Sequence, residues 1–216
     1  MSAPLKLYEK WSSSTSWRVR CALNFKGIVY ESKAVDNFTW TGENAEFVKS
    51  VNPAGRIPVL VHGERLITES LAIVEYIDEN FPGPKLLPAD SFARAQSRAI
   101  ALHIACGIQP IQNVRVTRKI EELAGSGKHE QWANYWMRLG VEELEGMVSK
   151  SAGKYCVGDE ITIADICLPS IVYRAKAWGV DMDEFPTLTR IDATLQQIAA
   201  FAAAHPDLQL DAPRNH

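Results

Sequence analysis

Apolar and polar residues alternate through PLKLYEK (4–10), the pattern of a short strand. The period then changes. Val19, Ala22, Leu23 and Phe25 recur at helical spacing and predict a helix over 16–26, with Gly27 as the residue that ends it. IVYESKAV (28–35) is again strand-like, and ENAEFVKSV (43–51) reads as a short helix that stops before Asn52–Pro53. In IPVLVHGERLIT (57–68) two apolar runs flank His62–Gly63, which predicts a hairpin. ESLAIVEYIDENF (69–81) places Leu71, Val74 and Ile77 on one side of a helix. The resulting order, β-α-β-α-β-β-α within about eighty residues, suits one small domain.

PGPKLLPAD (82–90) then brings in three prolines and a glycine, the composition of a linker. No strand pattern follows it. Helical periodicity covers 91–124, 129–150, 162–178 and 187–203, with AGSGK (124–128) between the first two. The fold class expected is therefore α/β plus all-α: a domain over 1–82, a linker over 83–90 and a helical domain over 91–216. A chain of 216 residues that is 46% hydrophobic can fill one large core or two smaller ones. Thr162 and Asp165 have capping-box spacing, and Ile161 and Ile166 fit a hydrophobic staple, so ITIADIC is assigned a folding role.

A net charge of −3 gives no broad basic surface, which disfavours nucleic acid as a partner. No apolar run is long enough to cross a bilayer. The start, MSAPLKLYEKW, lacks the charged and apolar regions of a signal peptide. Cys21, Cys106, Cys156 and Cys167 form no C-x-x-C pair, and their neighbours are apolar. They are expected to be buried thiols in a reducing compartment, with no zinc site.

Candidate chemistry lies in Ser12–Ser13–Ser14–Thr15–Ser16, between the first strand and the first helix. First-turn amides lack intrahelical acceptors and the macrodipole is positive there, so an anion is favoured. Ordinary N-capping explains one such hydroxyl but does not need five. NPAGRIPVL (52–60) puts Pro58 at the first position of a strand, a place where a special backbone, sometimes a cis bond, can turn Ile57's amide and carbonyl towards a ligand. Thr68-Glu69-Ser70 opens the next helix with a carboxylate and a hydroxyl. Capping by an acidic first turn accounts for it alone; taken with the hydroxyl run, it suits a small zwitterionic peptide.

These stretches resemble the glutathione transferases, and within them the zeta class, which includes the maleylacetoacetate isomerases. The resemblance is carried by SSSTSWRVRCAL, LNFKGIVYE, VNPAGRIPVL, ESLAIVEYIDENFP, LLPAD, GIQPIQN, YCVGDEITIADICLP and HPDLQLDAP, which span most of the chain. It implies a thioredoxin-like first domain, glutathione as coenzyme, a homodimer and a cytoplasmic location. It further implies that Ser13, Ser14 and Thr15 are catalytic, with Ser13 hydrogen-bonding the thiolate. Glutathione-binding positions by the same resemblance are Ser13, Ser14, Thr15, Arg18, Ile57, Pro58, Glu69, Ser70, Gln109, Asn113 and Arg115, with Val114 nearby. GIQPIQN is expected inside a long helix bent at Pro110, with Gln109 and Asn113 one turn apart on one face.

The chain departs from the zeta pattern at three positions. Thr15 stands where a cysteine is usual, and Ser12 and Ala177 stand where arginines are usual. Those arginines hold substrate carboxylates in relatives, and bidentate arginine is the natural partner for a dianion. Arg115 and Arg174 are the candidate replacements; a solvated helix face is the other reading for both, and the preferred one for Arg118. The implied activity is cis-trans isomerisation of maleylacetoacetate- or maleylpyruvate-like dicarboxylates, or conjugation of another electrophile. A non-catalytic binding or assembly module is the alternative.

Overall fold

The computed structural model describes residues 4–36 and 39–213. Among these the chain divides into two units. One runs to Lys85 and resumes at Gln197; the other is Leu86–Gln196.

The first unit is built on one mixed sheet. Its strands are β1 (Leu5–Glu9), β2 (Tyr30–Ala34), β3 (Val59–His62) and β4 (Arg65–Thr68), in the order β2-β1-β3-β4. β1 pairs parallel with β2 and antiparallel with β3, in the register Leu7↔Leu60 and Tyr8↔Val59. The parallel pair requires a crossover, which α1 (Ser14–Phe25) supplies. The β3–β4 hairpin pairs His62 with Arg65, so its loop is Gly63–Glu64, one residue later than the pattern suggested. Gly63 takes φ 62°, which a tight loop needs and glycine adopts at no steric cost. α2 (Glu43–Val51) and α3 (Ser70–Asn80) complete the elements expected. Leu7, Val19, Leu23, Leu60, Ile73, Val74 and Ile77 are fully buried between sheet and helices.

α1 starts two residues before the expected position. Ser13 is its N-cap, with extended backbone and its side-chain oxygen accepting from the Ser16 amide at 3.2 Å. Polar residues therefore fill its first turn, which is why apolar periodicity missed them.

The second unit is helical among its described residues: α4 (Ser91–Leu102), α5 (Val114–Ala124), α6 (Lys128–Val148), α7 (Ile163–Ala177) and α8 (Pro186–Gln196). The single helix expected over 91–124 is instead three pieces. After α4 the chain widens into a π-helical segment, His103–Ile108, and then turns through 109–113 before α5. Pro110 has no amide to continue the ladder. Asn113 restarts it as an N-cap, accepting from the Arg115 amide at 3.0 Å. The intervening loop is held by the Trp132 indole, which donates to the Ile111 carbonyl at 3.0 Å. A Cβ on Gly140 would lie 2.6 Å from Ile108, so α6 approaches this segment closely enough to require glycine.

The helix expected over 187–203 also divides, because its halves pack in different units. α9 (Ala199–Ala203) belongs with the first unit. There Phe201 meets Phe25 at 6.1 Å, and the Arg20 and Asn24 side chains donate to the carbonyls of Ala204 and Ala200. The capping box before α7 forms as expected. The Thr162 amide donates to Asp165 at 2.8 Å and the Ala164 amide to Thr162 at 3.3 Å. Cys21, Cys156 and Cys167 are buried thiols, but Cys106 is exposed. It lies midway between Ile104 and Ile108, both buried, and so faces the other way.

Candidate active site

β1 ends at Glu9 and the chain turns into α1, the Ser13 amide donating to the Lys10 carbonyl at 3.1 Å. Arg20 fixes this turn from below. Fully buried, it pairs with Glu9 and donates to the carbonyls of Lys10 (3.3 Å) and Trp11 (3.1 Å). Burial pushes the Glu9 carboxyl above its ordinary range, against the lowering effect of Arg20.

Three of the hydroxyl-run residues form one directed chain. The Ser16 amide donates to Ser13 Oγ, and the Thr15 hydroxyl donates to the Ile57 carbonyl at 3.2 Å. Ser13 and Thr15 lie 2.8 Å apart. Since Thr15 has one proton and gives it to Ile57, Ser13 is the donor of that pair. The Ser14 hydroxyl has no side-chain hydrogen bond among the described residues. Ser13, rather than Thr15, is thus the cap of α1. Thr15 reaches the loop before β3, where the Ile57–Pro58 peptide is cis.

α3 opens differently. Glu69 occupies its N-cap position with φ 65° and makes no side-chain cap hydrogen bond. Capping alone therefore does not explain Thr68-Glu69-Ser70. Left-handed backbone at a non-glycine residue costs of order 1–3 kcal/mol and clusters at ligand-binding positions. The Glu69 side chain is exposed and Ser70 is buried. Ser70 Oγ accepts from Arg18 Nη1 at 3.2 Å. Arg18 is fully buried.

In the second unit Gln109 lies in the turn after the π-helical segment, not on a helix, and its carbonyl accepts from Gln112 Nε2 at 3.3 Å. The expected shared helical face of Gln109 and Asn113 is therefore absent, and Asn113 spends its side-chain oxygen on the α5 cap. Arg115 and Arg118 are exposed on α5. Arg174 differs from both: it is half-buried on α7. Its guanidinium lies 5.3 Å from the centroid of the Trp178 ring, and Nη2 donates to Gln112 Oε1 at 3.4 Å. The Trp178 indole donates to the same oxygen at 2.9 Å. Burial lowers the Arg174 pKa from its ordinary value, and no carboxylate pairs with it among the described residues. Ala177 and Ser12, which replace family arginines, are both exposed.

Sequence reasoning missed Glu9, Arg20, Gln112 and Trp178. A signal for Arg20 existed: Arg18 and Arg20 sit two apart, about 200° around a helix, with Trp17, Val19 and Cys21 interleaved, so they cannot share one solvent face. A cavity of about 410 Å³ beside the Lys10–Trp11 turn is lined by Asp36, Glu43 and Asp211 against Lys10 alone. That lining suits a dianion poorly. Among the described residues no cluster suits a metal ion, and no helix is long and apolar enough to cross a membrane.

A helix N-terminus rich in hydroxyls, a cis-proline loop bonded to it and an acidic residue with positive φ, set on a β2-β1-β3-β4 sheet, define a glutathione-transferase type of first domain. The family model for the glutathione S-transferase N-terminal domain matches residues 7–85. The chain is 43% identical over 210 residues to a probable maleylacetoacetate isomerase of Caenorhabditis elegans, covering 97% of this chain and 96% of that one. A maleylacetoacetate isomerase of Anaeromyxobacter dehalogenans 2CP-1, solved with dicarboxyethyl glutathione and citrate in its active site, superposes with TM-score 0.88 at 39% identity, covering 99% of this chain and 100% of that one. A bacterial maleylpyruvate isomerase of the zeta class, solved in its holo form, gives TM-score 0.89 at 34% identity, covering 96% and 100%. The chain belongs to the maleylacetoacetate isomerase family, the zeta class of glutathione transferases.

Proposed function

We propose that this protein is a glutathione-dependent cis-trans isomerase of maleylacetoacetate- or maleylpyruvate-like dicarboxylates. The observation that carries the reading is the directed chain from the Ser16 amide through Ser13 and Thr15 to the Ile57 carbonyl. It joins the anion-favouring end of α1 to the loop whose backbone a peptide ligand would use. The residues present fit glutathione. The α1 N-terminus, with Ser13 and Ser14, suits a thiolate. Ile57, its carbonyl already engaged by Thr15, has its amide for the ligand's main chain. Glu69 suits an ammonium group, and Ser70 with the α3 amides suits a carboxylate. Gln109, Asn113 and Arg115 remain candidates by position.

Bound glutathione supplies a thiol whose anion can add to and leave the substrate's double bond, so it is regenerated. The protein's part is to favour that anion and hold the dicarboxylate. A free thiol titrates near about 8.5. Hydroxyl donation, the helix dipole and backbone amides stabilise the thiolate over the thiol. A lowering of about two pH units corresponds to roughly 2.7 kcal/mol, within reach of a few charge-assisted contacts. Arg174, held by Gln112 and Trp178 without an anionic partner among the described residues, is the group we assign to a substrate carboxylate. A homodimer in the cytoplasm is the expected setting, and pairing about a two-fold axis is the commonest arrangement for soluble oligomers.

Conjugation of other electrophiles is a second reading, favoured by the exposed Ser12 and Ala177, which bring no charge to a substrate dianion. Turnover of maleylacetone, chloro-dinitrobenzene and dichloroacetate, each with and without glutathione, separates the two. Maleylacetone isomerised only with glutathione is the expected result. Turnover of the other two alone would leave conjugation as the function, and turnover of none, with glutathione bound, would leave a binding module.

A further inference from the structure

Two arginines on α1 are equally buried and differently treated. Arg20 has Glu9 as a counter-ion and three carbonyl acceptors. Arg18, 0% exposed, has one hydrogen bond, from Nη1 to Ser70 Oγ at 3.2 Å. Its Nε and Nη2 are buried and meet no acceptor among the described residues. A buried cation without a partner costs several kcal/mol, and folding alone would favour an apolar side chain of similar volume. Among the described residues no carboxylate pairs with Arg18 to offset that cost.

The place where the charge sits gives the reason. Ser70 is the first residue of α3, an eleven-residue helix whose N-cap position makes no side-chain bond to the first-turn amides. Those amides favour an anion. Because Ser70 Oγ already accepts from Arg18, its own proton must point elsewhere, and accepting from a cation makes the hydroxyl a stronger donor. We infer that Arg18 is a positioning residue for an amino-acid carboxylate at the start of α3: it fixes Ser70 as a donor and supplies the buried positive charge that this anion neutralises, without touching it. The inference rests on the glutathione reading and specifies that the carboxylate is the one on the γ-glutamyl end.

The test compares glutathione with 4-aminobutyryl-cysteinylglycine, which keeps the ammonium and lacks that carboxylate. Calorimetric Kd values are measured for wild type, Arg18→Met, Arg18→Lys, Ser70→Ala and the Arg18→Met/Ser70→Ala double variant, with thermal melts of each ligand-free protein. Arg18→Met is expected to weaken glutathione about 10- to 100-fold, the range for a charge-assisted contact, and to leave the analogue within about two-fold. Arg18→Lys should recover part of the loss. The double variant should bind glutathione worse than Ser70→Ala alone, because the Arg18 charge is lost as well, but by less than the two single losses combined. The melting temperature of Arg18→Met should be equal to or above that of wild type. A role confined to folding would instead lower the melting temperature and weaken both ligands alike, and that result overturns the inference. So does an Arg18→Met protein that does not fold, or one that binds glutathione as wild type does. A wild type that binds neither ligand removes the glutathione reading and this inference with it.

Discussion

The Thr15 hydroxyl donates to the carbonyl oxygen of Ile57, 42 residues further along the chain, at 3.2 Å. That bond decides which protons of the hydroxyl run are committed. With Thr15 spent on Ile57, the Ser13 proton goes to Thr15, and Ser13 also receives the Ser16 amide. Ser13 is thus the one hydroxyl that is at once helix cap and head of the chain. Thr15 connects it to the cis-proline loop.

Ser13→Ala should therefore reduce both rate and stability. In the ligand-free protein the Ser13 proton lies on Thr15. With glutathione bound it would turn to the sulfur, so the variant loses one donor to the thiolate, typically about 10²-fold or more in kcat, together with an N-cap, about 1 kcal/mol. Thr15→Ala removes the tie to Ile57 but leaves the cap, so a smaller loss of kcat/KM and little change in the urea midpoint are expected. Steady-state rates at saturating glutathione, with urea melts of the same proteins, provide the comparison. A Thr15→Ala enzyme slower than Ser13→Ala would make Thr15 the thiolate donor.

Thiol accessibility gives a second expectation. Cys106 is exposed on the π-helical segment, whereas Cys21, Cys156 and Cys167 are buried. Burial also pushes the Cys156 thiol well above its ordinary range, with Asp165 adding to the effect. A thiol reagent such as dithiobis-nitrobenzoate should react with one equivalent in the native protein and four after denaturation, and Cys106→Ser should abolish the fast equivalent. Fast loss of a second equivalent without unfolding would contradict the burial.

Much of this was legible in the sequence, and the exceptions share a cause. In the first unit α3 follows from periodicity because Leu71, Val74 and Ile77 recur on one side of it, whereas α1 is buried all round from Ser16 to Leu23 and only its apolar positions carried the signal. Pro58, Glu69 and the hydroxyl run were legible because their residue types are unusual at their positions. Two other features depend on tertiary context. Pattern alone extends a helix, bent at Pro110, through Gln109–Asn113; the open turn there is also held by contacts with Trp132 and Gly140 from α6. The division of α8 from α9 depends on which unit Phe201 packs into. Side-chain partners over long separations, such as Arg18 with Ser70 or Arg174 with Gln112, leave no periodic trace.

The capping box before α7 predicts a pH dependence. Burial holds the Asp165 carboxyl above the ordinary aspartate value of 3.8, its hydrogen bonds from Cys156 and Thr162 notwithstanding. A carboxyl whose folded pKa is raised binds its proton more tightly in the folded than in the unfolded state. Its contribution is thus fully present below the unfolded value and lost as pH rises through the folded one. Asp165→Asn should therefore destabilise most at acidic pH, and the difference from wild type should shrink towards neutrality. Urea melts of both proteins from about pH 4 to pH 7 test this, and a difference that grows with pH would reverse the sign assigned to burial.

Arg174, proposed as the contact for a substrate carboxylate, carries the prediction about the substrate. It is half-buried, it stacks on Trp178 and Gln112 orients it, yet no carboxylate neutralises it among the described residues. Arg115 and Arg118, exposed on α5, have no comparable setting. Arg174→Ala should therefore raise KM for maleylacetone by about 10- to 100-fold, the range for one charge-assisted contact. It should leave kcat/KM for chloro-dinitrobenzene nearly unchanged, because a neutral aromatic has no carboxylate to lose. Arg174→Lys should recover little, since an ammonium reproduces neither the planar stacking nor the bidentate geometry. Gln112→Leu should give a weaker form of the same effect, as the guanidinium loses its orienting acceptor while keeping its charge. Ala177→Arg offers the converse, adding a second cation one turn away and lowering KM for dicarboxylates. Maleylacetone turnover that is unchanged in Arg174→Ala but impaired in Arg115→Ala would move the carboxylate contact to α5.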